Sequence, residues 1–272
     1  MKKLILASAA LVSVSANAKD LNGSDTLLGL MKDAIVEAGL EDELAYVGGG
    51  SSTGAKALIA ETQGVTAMSR ALKDSEREAL AAAGHEVIEV PVALDAVQIF
   101  VNGANVTANI SQEDIFNIFT CKVTAWEDVE GSGQTGEIVV YRRDDLSGTT
   151  DTFKSLALKP FGTKNFGDCV TSLPSTEEIA ARTATEAGSI GFSGRSGNVE
   201  GNKALNVGGF EPSNENVRAE VSIKGSGYPL SRALFVYGIE SLQTDAELEL
   251  FDLLQDDEAM AEIVVNNEFI TK

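Results

Sequence analysis

A chain of 272 residues with 43% hydrophobic content is long enough for one or two domains with a real core, and too apolar for a disordered chain. Its 21 Lys and Arg against 41 Asp and Glu give a formal net charge of −20, which argues against nucleic acid as a partner. Net charge governs solubility and steering while binding follows the local field of a pocket, so an anionic small ligand is not excluded.

The first stretch, MKKLILASAALVSVSANA, has a Lys2-Lys3 start, an apolar run from Leu4 to Val14 and an Ala16-Asn17-Ala18 cleavage signal. It reads as a secretory signal peptide over residues 1–18, with a buried N-terminal helix as the alternative. The apolar run is shorter than the roughly 20 residues that span a bilayer. No cysteine stands near the cut to carry a lipid, so the expectation is an exported, unanchored, periplasmic chain beginning near Lys19.

Past that point helices and strands alternate. Residues 25–38 carry Leu27, Leu28, Met31, Ala34, Ile35 and Ala38 at helical spacing and stop at Gly39; LAYV at 44–47 is a short strand. A second helix opens at Ser51-Ser52 and ends before Gly64, and GVTAM is the next strand, leading into Ser69-Arg70. A Ser75 to Glu78 capping box starts a third helix that ends at Gly84, and VIEVPVALDAVQIFVN supplies two strands. Ser111 caps a helix through Phe119, IVVY is a strand, and RRDDLSGTT leads into TDTFKSLAL as a further helix. Ser175 to Glu178 begins another helix, followed by the strand SIGF. VRAEVSI and SRALFVY read as strands, and two acidic helices follow Asp245. Such alternation defines an α/β fold.

Cys121 and Cys169 are the two cysteines, and in an oxidising compartment a pair is either bridged or left as two buried thiols, the bridge being the expectation. With one histidine, His85, far from both in sequence, a structural metal site is not expected, nor is a Ser-His-Asp triad or any cofactor. Neither a phosphate-loop motif nor a dinucleotide fingerprint is present.

Three places join glycine and hydroxyl residues at a helix start: Asn22 to Thr26, Gly48 to Gly54, and Ser147-Gly148-Thr149. Each offers free N–H groups and the positive end of a helix dipole to an anion, although any one of them alone is accounted for by ordinary capping. Arg143 beside the third adds a planar fork of donors matched to oxyanion geometry.

These stretches carry a resemblance. NGSDTL, YVGGGSSTGAK, MSRALKDSE, ALDAVQIFVNGAN, EDIFNIFTCKVTAW, RRDDLSGTTDTF, AGSIGF and GYPLSRALFVY follow one another as in the periplasmic phosphate-binding proteins that feed the phosphate ABC importer. The resemblance implies a two-lobed type II binding-protein fold with two crossover strands. One lobe is expected from residues 19–102 plus 224–272 and the other from 103–223. It also implies a monomeric, non-enzymatic receptor for inorganic phosphate that delivers to an inner-membrane permease. Thr26 would offer a hydroxyl, Leu27 a backbone N–H, and Ser51 the second helix start. Arg143 would be the guanidinium, Asp145 the acid that orients it, and Ser147, Gly148 and Thr149 the third helix start.

Where one branch of the family has an aspartate after the serine, this chain has Arg70, placed behind the ligand shell; Asp95 is the substitute acceptor for the proton of hydrogen phosphate, against the alternative that it only caps its turn. Cys121 stands where the family usually has glycine. Arg142 and Asp144 are expected at the surface, and Trp126, Tyr228 and Arg232 in lobe packing or at the cleft rim. A receptor for another tetrahedral oxyanion, or an exported phosphate-ester hydrolase or adhesin on the same fold, is the alternative.

Overall fold

A computed structural model describes residues 18–195 and 199–272, so the signal-peptide reading falls on residues almost wholly outside the described ones. The chain opens with β1 (Lys19–Gly23), a 3-10 turn over Asp25–Leu27 and α1 (Leu28–Glu37), then β2 (Leu44–Gly49) and α2 (Ser51–Ile59). It continues through β3 (Val65–Met68), α3 (Asp74–Ala82), β4 (Ile88–Ala96), β5 (Gln98–Asn102), β6 (Asn109–Ile110) and α4 (Gln112–Phe119). β7 (Val139–Arg143) runs into α5 (Gly148–Phe153), which widens into a π-helical turn over Lys154–Leu158. Then come β8 (Val170–Leu173), α6 (Thr176–Thr185), β9 (Ser189–Ser193), β10 (Asn202–Ala204), β11 (Asn206–Val207), α7 (Asn214–Ser222), β12 (Ser231–Gly238), α8 (Asp245–Gln255) and α9 (Asp257–Asn266).

The local chemistry of these elements is the expected one in most places. Ser111, Ser147 and Ser175 each accept an N–H from three residues on, as N-caps do. Gly39 and Gly84 end their helices at positive φ. Two corrections arise. α3 starts one residue ahead of Ser75, at Asp74, with Glu76 accepting the Lys73 N–H, so Ser75 is inside the helix and not its cap. VRAEVSI is helical: Ser213 caps α7, and the helix buries Val217 while packing on β4 and β12.

Two lobes follow from the sheets. β3, β12 and β4 form one antiparallel sheet, with the parallel pair β1 and β2 beside it; a core of Leu27, Leu30, Met31, Val92, Leu234 and Phe251 fills this lobe. The other lobe holds the five-stranded order β10-β5-β9-β7-β8 over a core that includes Phe119, Trp126, Phe153 and Phe192. Since β5 pairs with β9, residues 98–102 lie in the second lobe's sheet, and we place the first crossing at Val97 instead of after Asn102. The return crossing lies against it. The Val97 N–H donates to Leu230 O at 2.8 Å, and the Tyr228 hydroxyl donates to Val97 O at 3.2 Å. Trp126 and Tyr228 are thus packing residues, one in the second lobe's core and one at the hinge.

The cysteines are bridged: Cys121 and Cys169 form a disulfide with Cα atoms 5.9 Å apart. It ties the end of α4 to the approach to β8, and Cys121 takes a positive φ of 62°, a conformation glycine adopts more readily. No helix among the described residues is long and apolar enough to cross a membrane.

Candidate functional site: an oxyanion cradle between the lobes

Parallel strands deliver their following helices to one end of a sheet, and that is where ligand sites of α/β folds form. Here the turn after β1, the start of α2 and the start of α5 meet across the lobe boundary. Thr26 Oγ1 lies 2.9 Å from Thr149 Oγ1. Ser51 Oγ lies 3.3 Å from Ser69 Oγ and accepts the Ser69 N–H at 3.1 Å. Gly148 sits so close to these serines that a Cβ there would come within 2.5 Å of Ser69 Oγ and 2.7 Å of Ser51 Cβ, with Ser51 Oγ nearer still. Glycine is needed for this approach and not for an unusual φ.

Gly148 and Thr149 are the first two positions of α5, whose N–H groups have no intrahelical acceptor. Ser147 is its cap, accepting from the Thr150 N–H at 3.3 Å and keeping its hydroxyl proton to donate. Ser147, Gly148, Thr149 and Ser51 are all buried. Leu27 corrects its expected role: its N–H donates to Ser24 O at 3.1 Å inside the 3-10 turn, and its side chain belongs to the first lobe's core.

Arg143 ends β7 and is buried, with its Nη2 donating to Asp25 Oδ2 at 2.8 Å and its Nη1 to Thr176 at 3.4 Å; its Nε is buried without a protein partner. The acid that holds this guanidinium is therefore Asp25, from the other lobe, and not Asp145. Asp145 is exposed and accepts from Arg142 and Lys154; the hydrogen bond from Lys154 holds its carboxyl below the usual range, against a smaller opposing push from burial. Arg142, expected at the surface, is half-buried over the Phe166 ring, and Asp144 lies 4.0 Å from Arg143. Asp25 also takes the Gly49 N–H at 2.9 Å, which fixes it between two loops. Burial, and then this same carboxylate, push up the pKa of the Tyr46 hydroxyl, which donates to Ser24 O.

Arg70 spends all five of its N–H groups on protein: Glu76 takes two, and Asp151, Ala71 O and Ser52 take one each. With none left for a ligand it acts behind the cradle, and its bond to Asp151 joins the lobes.

Asp95 is fully buried. Its Oδ2 accepts from Arg232 Nη2 at 2.6 Å and Nε at 3.1 Å, and its Oδ1 accepts the Arg195 N–H at 3.0 Å. The pair stands at the cradle's edge: a Cβ on Gly194 would lie 2.8 Å from Asp95 Oδ2 and 3.1 Å from the Thr26 methyl. Arg232 Nη1 reaches on to Thr149 Oγ1 at 3.1 Å, so this arginine, read from sequence as rim or packing, touches a cradle hydroxyl. The signal that could have found it is cross-strand register, since Arg232 lies directly opposite Asp95 in the β12–β4 pair.

Among the described residues no cluster of ligating side chains fits a metal, and His85 faces Glu61 on the surface of the first lobe, away from the cradle. The fold and the cradle together define a two-lobed substrate-binding protein with donors converging from both lobes.

The chain belongs to the PBP superfamily, whose domain description matches residues 13–251. Protein SphX of Synechococcus elongatus is 31% identical over 195 residues, covering 67% of this chain and 56% of SphX, so the chain matches little more than half of that relative. The phosphate-binding protein PstS of Pseudomonas aeruginosa is 28% identical over 242 residues, covering 82% of this chain and 72% of PstS. Among solved structures, a protein described as a phosphate ABC transporter substrate-binding protein of Clostridium perfringens, determined with bound phosphate, superposes with a TM-score of 0.80 at 24% identity, covering 94% of this chain and 100% of that one. An ABC-type phosphate transport receptor from Vibrio cholerae gives 0.73 at 21% identity, covering 93% and 99%. At these identities the two structures establish the fold.

Proposed function

We propose that this protein binds inorganic phosphate in the periplasm and hands it to an inner-membrane ABC permease, as a monomer that carries out no chemistry on its cargo. The observation that carries the reading is the meeting of Thr26, Ser51 and the Ser147-Gly148-Thr149 helix start around buried Arg143. The PstS relative, a phosphate-binding protein by name, supports it, and the structural neighbour determined with bound phosphate shares its fold.

The geometry suits a small oxyanion for stated reasons. The Ser147 hydroxyl, the one proton left over by the hydrogen-bonded Thr26 and Thr149 hydroxyls, the two N–H groups at the start of α5 and the buried guanidinium are donors. Arg143 supplies charge, and Asp25 from the opposite lobe fixes its fork, so closing the lobes also orients the arginine. Arg232 balances Asp95, leaving a neutral pair at the cradle's edge. A carboxylate so compensated can still accept a hydrogen bond from hydrogen phosphate, but repels sulfate less than a bare one would. Export through a leader at residues 1–18 is part of this proposal.

Calorimetric titration of the mature chain with phosphate, arsenate, sulfate and molybdate tests it. Phosphate and arsenate should bind most tightly, sulfate more weakly. Absence of binding heat for all four would end the oxyanion reading.

A further inference from the structure

Beside the cradle lies a cleft of about 410 Å³, lined from both lobes. Arg70, Lys73 and Arg232 face it from the first lobe and Lys154 and Lys164 from the second, with Asp151 as the one carboxylate in the lining. Five cationic side chains on one cleft run against the trend of a chain whose net charge is −20. Resting on the reading of the cradle as a phosphate site, we propose that this cleft is a second, outer oxyanion site, in which inorganic phosphate is held before it passes inward.

Arg232 belongs to both compartments. It lines the cleft, and its Nη1 donates to the cradle hydroxyl of Thr149 and, at 3.2 Å, to Ser69 O. Thr152, also in the lining, shares its hydroxyl proton between Gly148 O at 2.9 Å and the same Ser69 carbonyl at 3.2 Å. These bonds form a thin polar partition, so a ligand in the cleft is separate from one in the cradle and one guanidinium away from it.

Arg70 also pairs with Glu76 and Arg232 with Asp95, so the five cations meet four carboxylates, and the one positive charge left over for an anion in the outer compartment is that of Lys164. Asp151 is shared between Arg70 at 2.9 Å and Lys73 at 2.7 Å, and Lys154 pairs with Asp145 at 2.7 Å. Lys164 makes no ion pair among the described residues, which leaves its three donors for a ligand. Leu156 and Phe235 give the cleft partly apolar walls, and low-dielectric walls focus a field. A dianion approaching so acidic a protein is repelled at long range. Inside a Debye length of about 8–10 Å at ordinary ionic strength, this local excess of positive charge reverses that.

Two measurements decide it. Stopped-flow association of phosphate at low ionic strength should slow about threefold in Lys164→Gln and about tenfold in Lys164→Glu with the dissociation rate unchanged, and the differences should vanish at 1 M salt, where screening reaches about 3 Å. In Arg143→Ala, which disables the cradle, a phosphate titration followed by the amide shifts of Thr152, Leu156 and Lys164 should still show weak saturable binding that adding Lys164→Glu abolishes. Saturation in that background supports the outer site even if wild type shows no cradle binding, so the two readings fail separately. Unchanged association rates, or slower association with no saturable shifts in the cleft, would overturn the proposal, the latter leaving only general steering.

Discussion

Gly148→Ala should cost phosphate affinity without costing stability. The added methyl group would lie 2.5 Å from Ser69 Oγ and 2.7 Å from Ser51 Cβ. Ordinary contact is about 3.5 Å, so the helix starts of opposite lobes must part by roughly 0.8 to 1.0 Å. A Ser51 rotamer change relieves only its own hydroxyl, because the Ser51 Cβ and the Ser69 hydroxyl remain in the way. A misplacement of about 1 Å in a site built from converging donors costs on the order of 100-fold, or about 2.8 kcal/mol. Gly148 is not at positive φ and begins a helix, where alanine is preferred by up to about 1 kcal/mol, so the ligand-free protein should melt within about 2 °C of wild type. Isothermal titration with phosphate, paired with thermal melts with and without ligand, reads both effects. Affinity within threefold of wild type would refute the claim that closure requires this contact.

Arg143→Ala should weaken phosphate binding by about 2 to 5 kcal/mol, since the cradle loses its buried charged donor; Asp25→Asn should cost less, and Asp145→Asn almost nothing, because Asp25 and not Asp145 holds the fork. Titration of all three gives the order, and equal losses for the two aspartates would contradict the assignment. Glu247 is buried and accepts from Thr244 N and Gly64 N and from Lys19 Nζ, each at 2.9 Å; burial pushes its carboxyl up, but these bonds together outweigh it and the net shift is downward. A depressed folded-state pKa contributes stability that is present above the ordinary glutamate value and lost as pH falls through the folded value. Acid melts should therefore show a steeper loss below about pH 4 in wild type than in Glu247→Gln, and parallel curves would discount it. Reducing the Cys121–Cys169 bridge, which closes a 48-residue separation, should lower stability by about 2 to 4 kcal/mol with phosphate affinity little changed, measured by denaturant titration with and without reductant.

What the sequence determined by itself is local. Serine caps at 111, 147 and 175, helix-ending glycines at 39 and 84, and the strand-to-helix order all depend on chemistry within a few residues, and they appear where the pattern puts them. The cradle's outline was legible for the same reason, because hydroxyl and glycine at a helix start are local signals. VRAEVSI misled because alternating valine and isoleucine suit a strand, whereas the Ser213 cap and packing on β4 and β12 select the helix. Partnership between charges was decided only by tertiary structure. Asp145 is two residues from Arg143 and faces away, while Asp25 is 118 residues distant and touches it. Asp95 and Arg232 meet through antiparallel register, and Arg70 is used up by Glu76, Asp151 and Ser52. A guanidinium takes whichever carboxylate the packed lobes bring within about 3 Å, and that distance depends on the folding of both lobes and not on spacing along the chain.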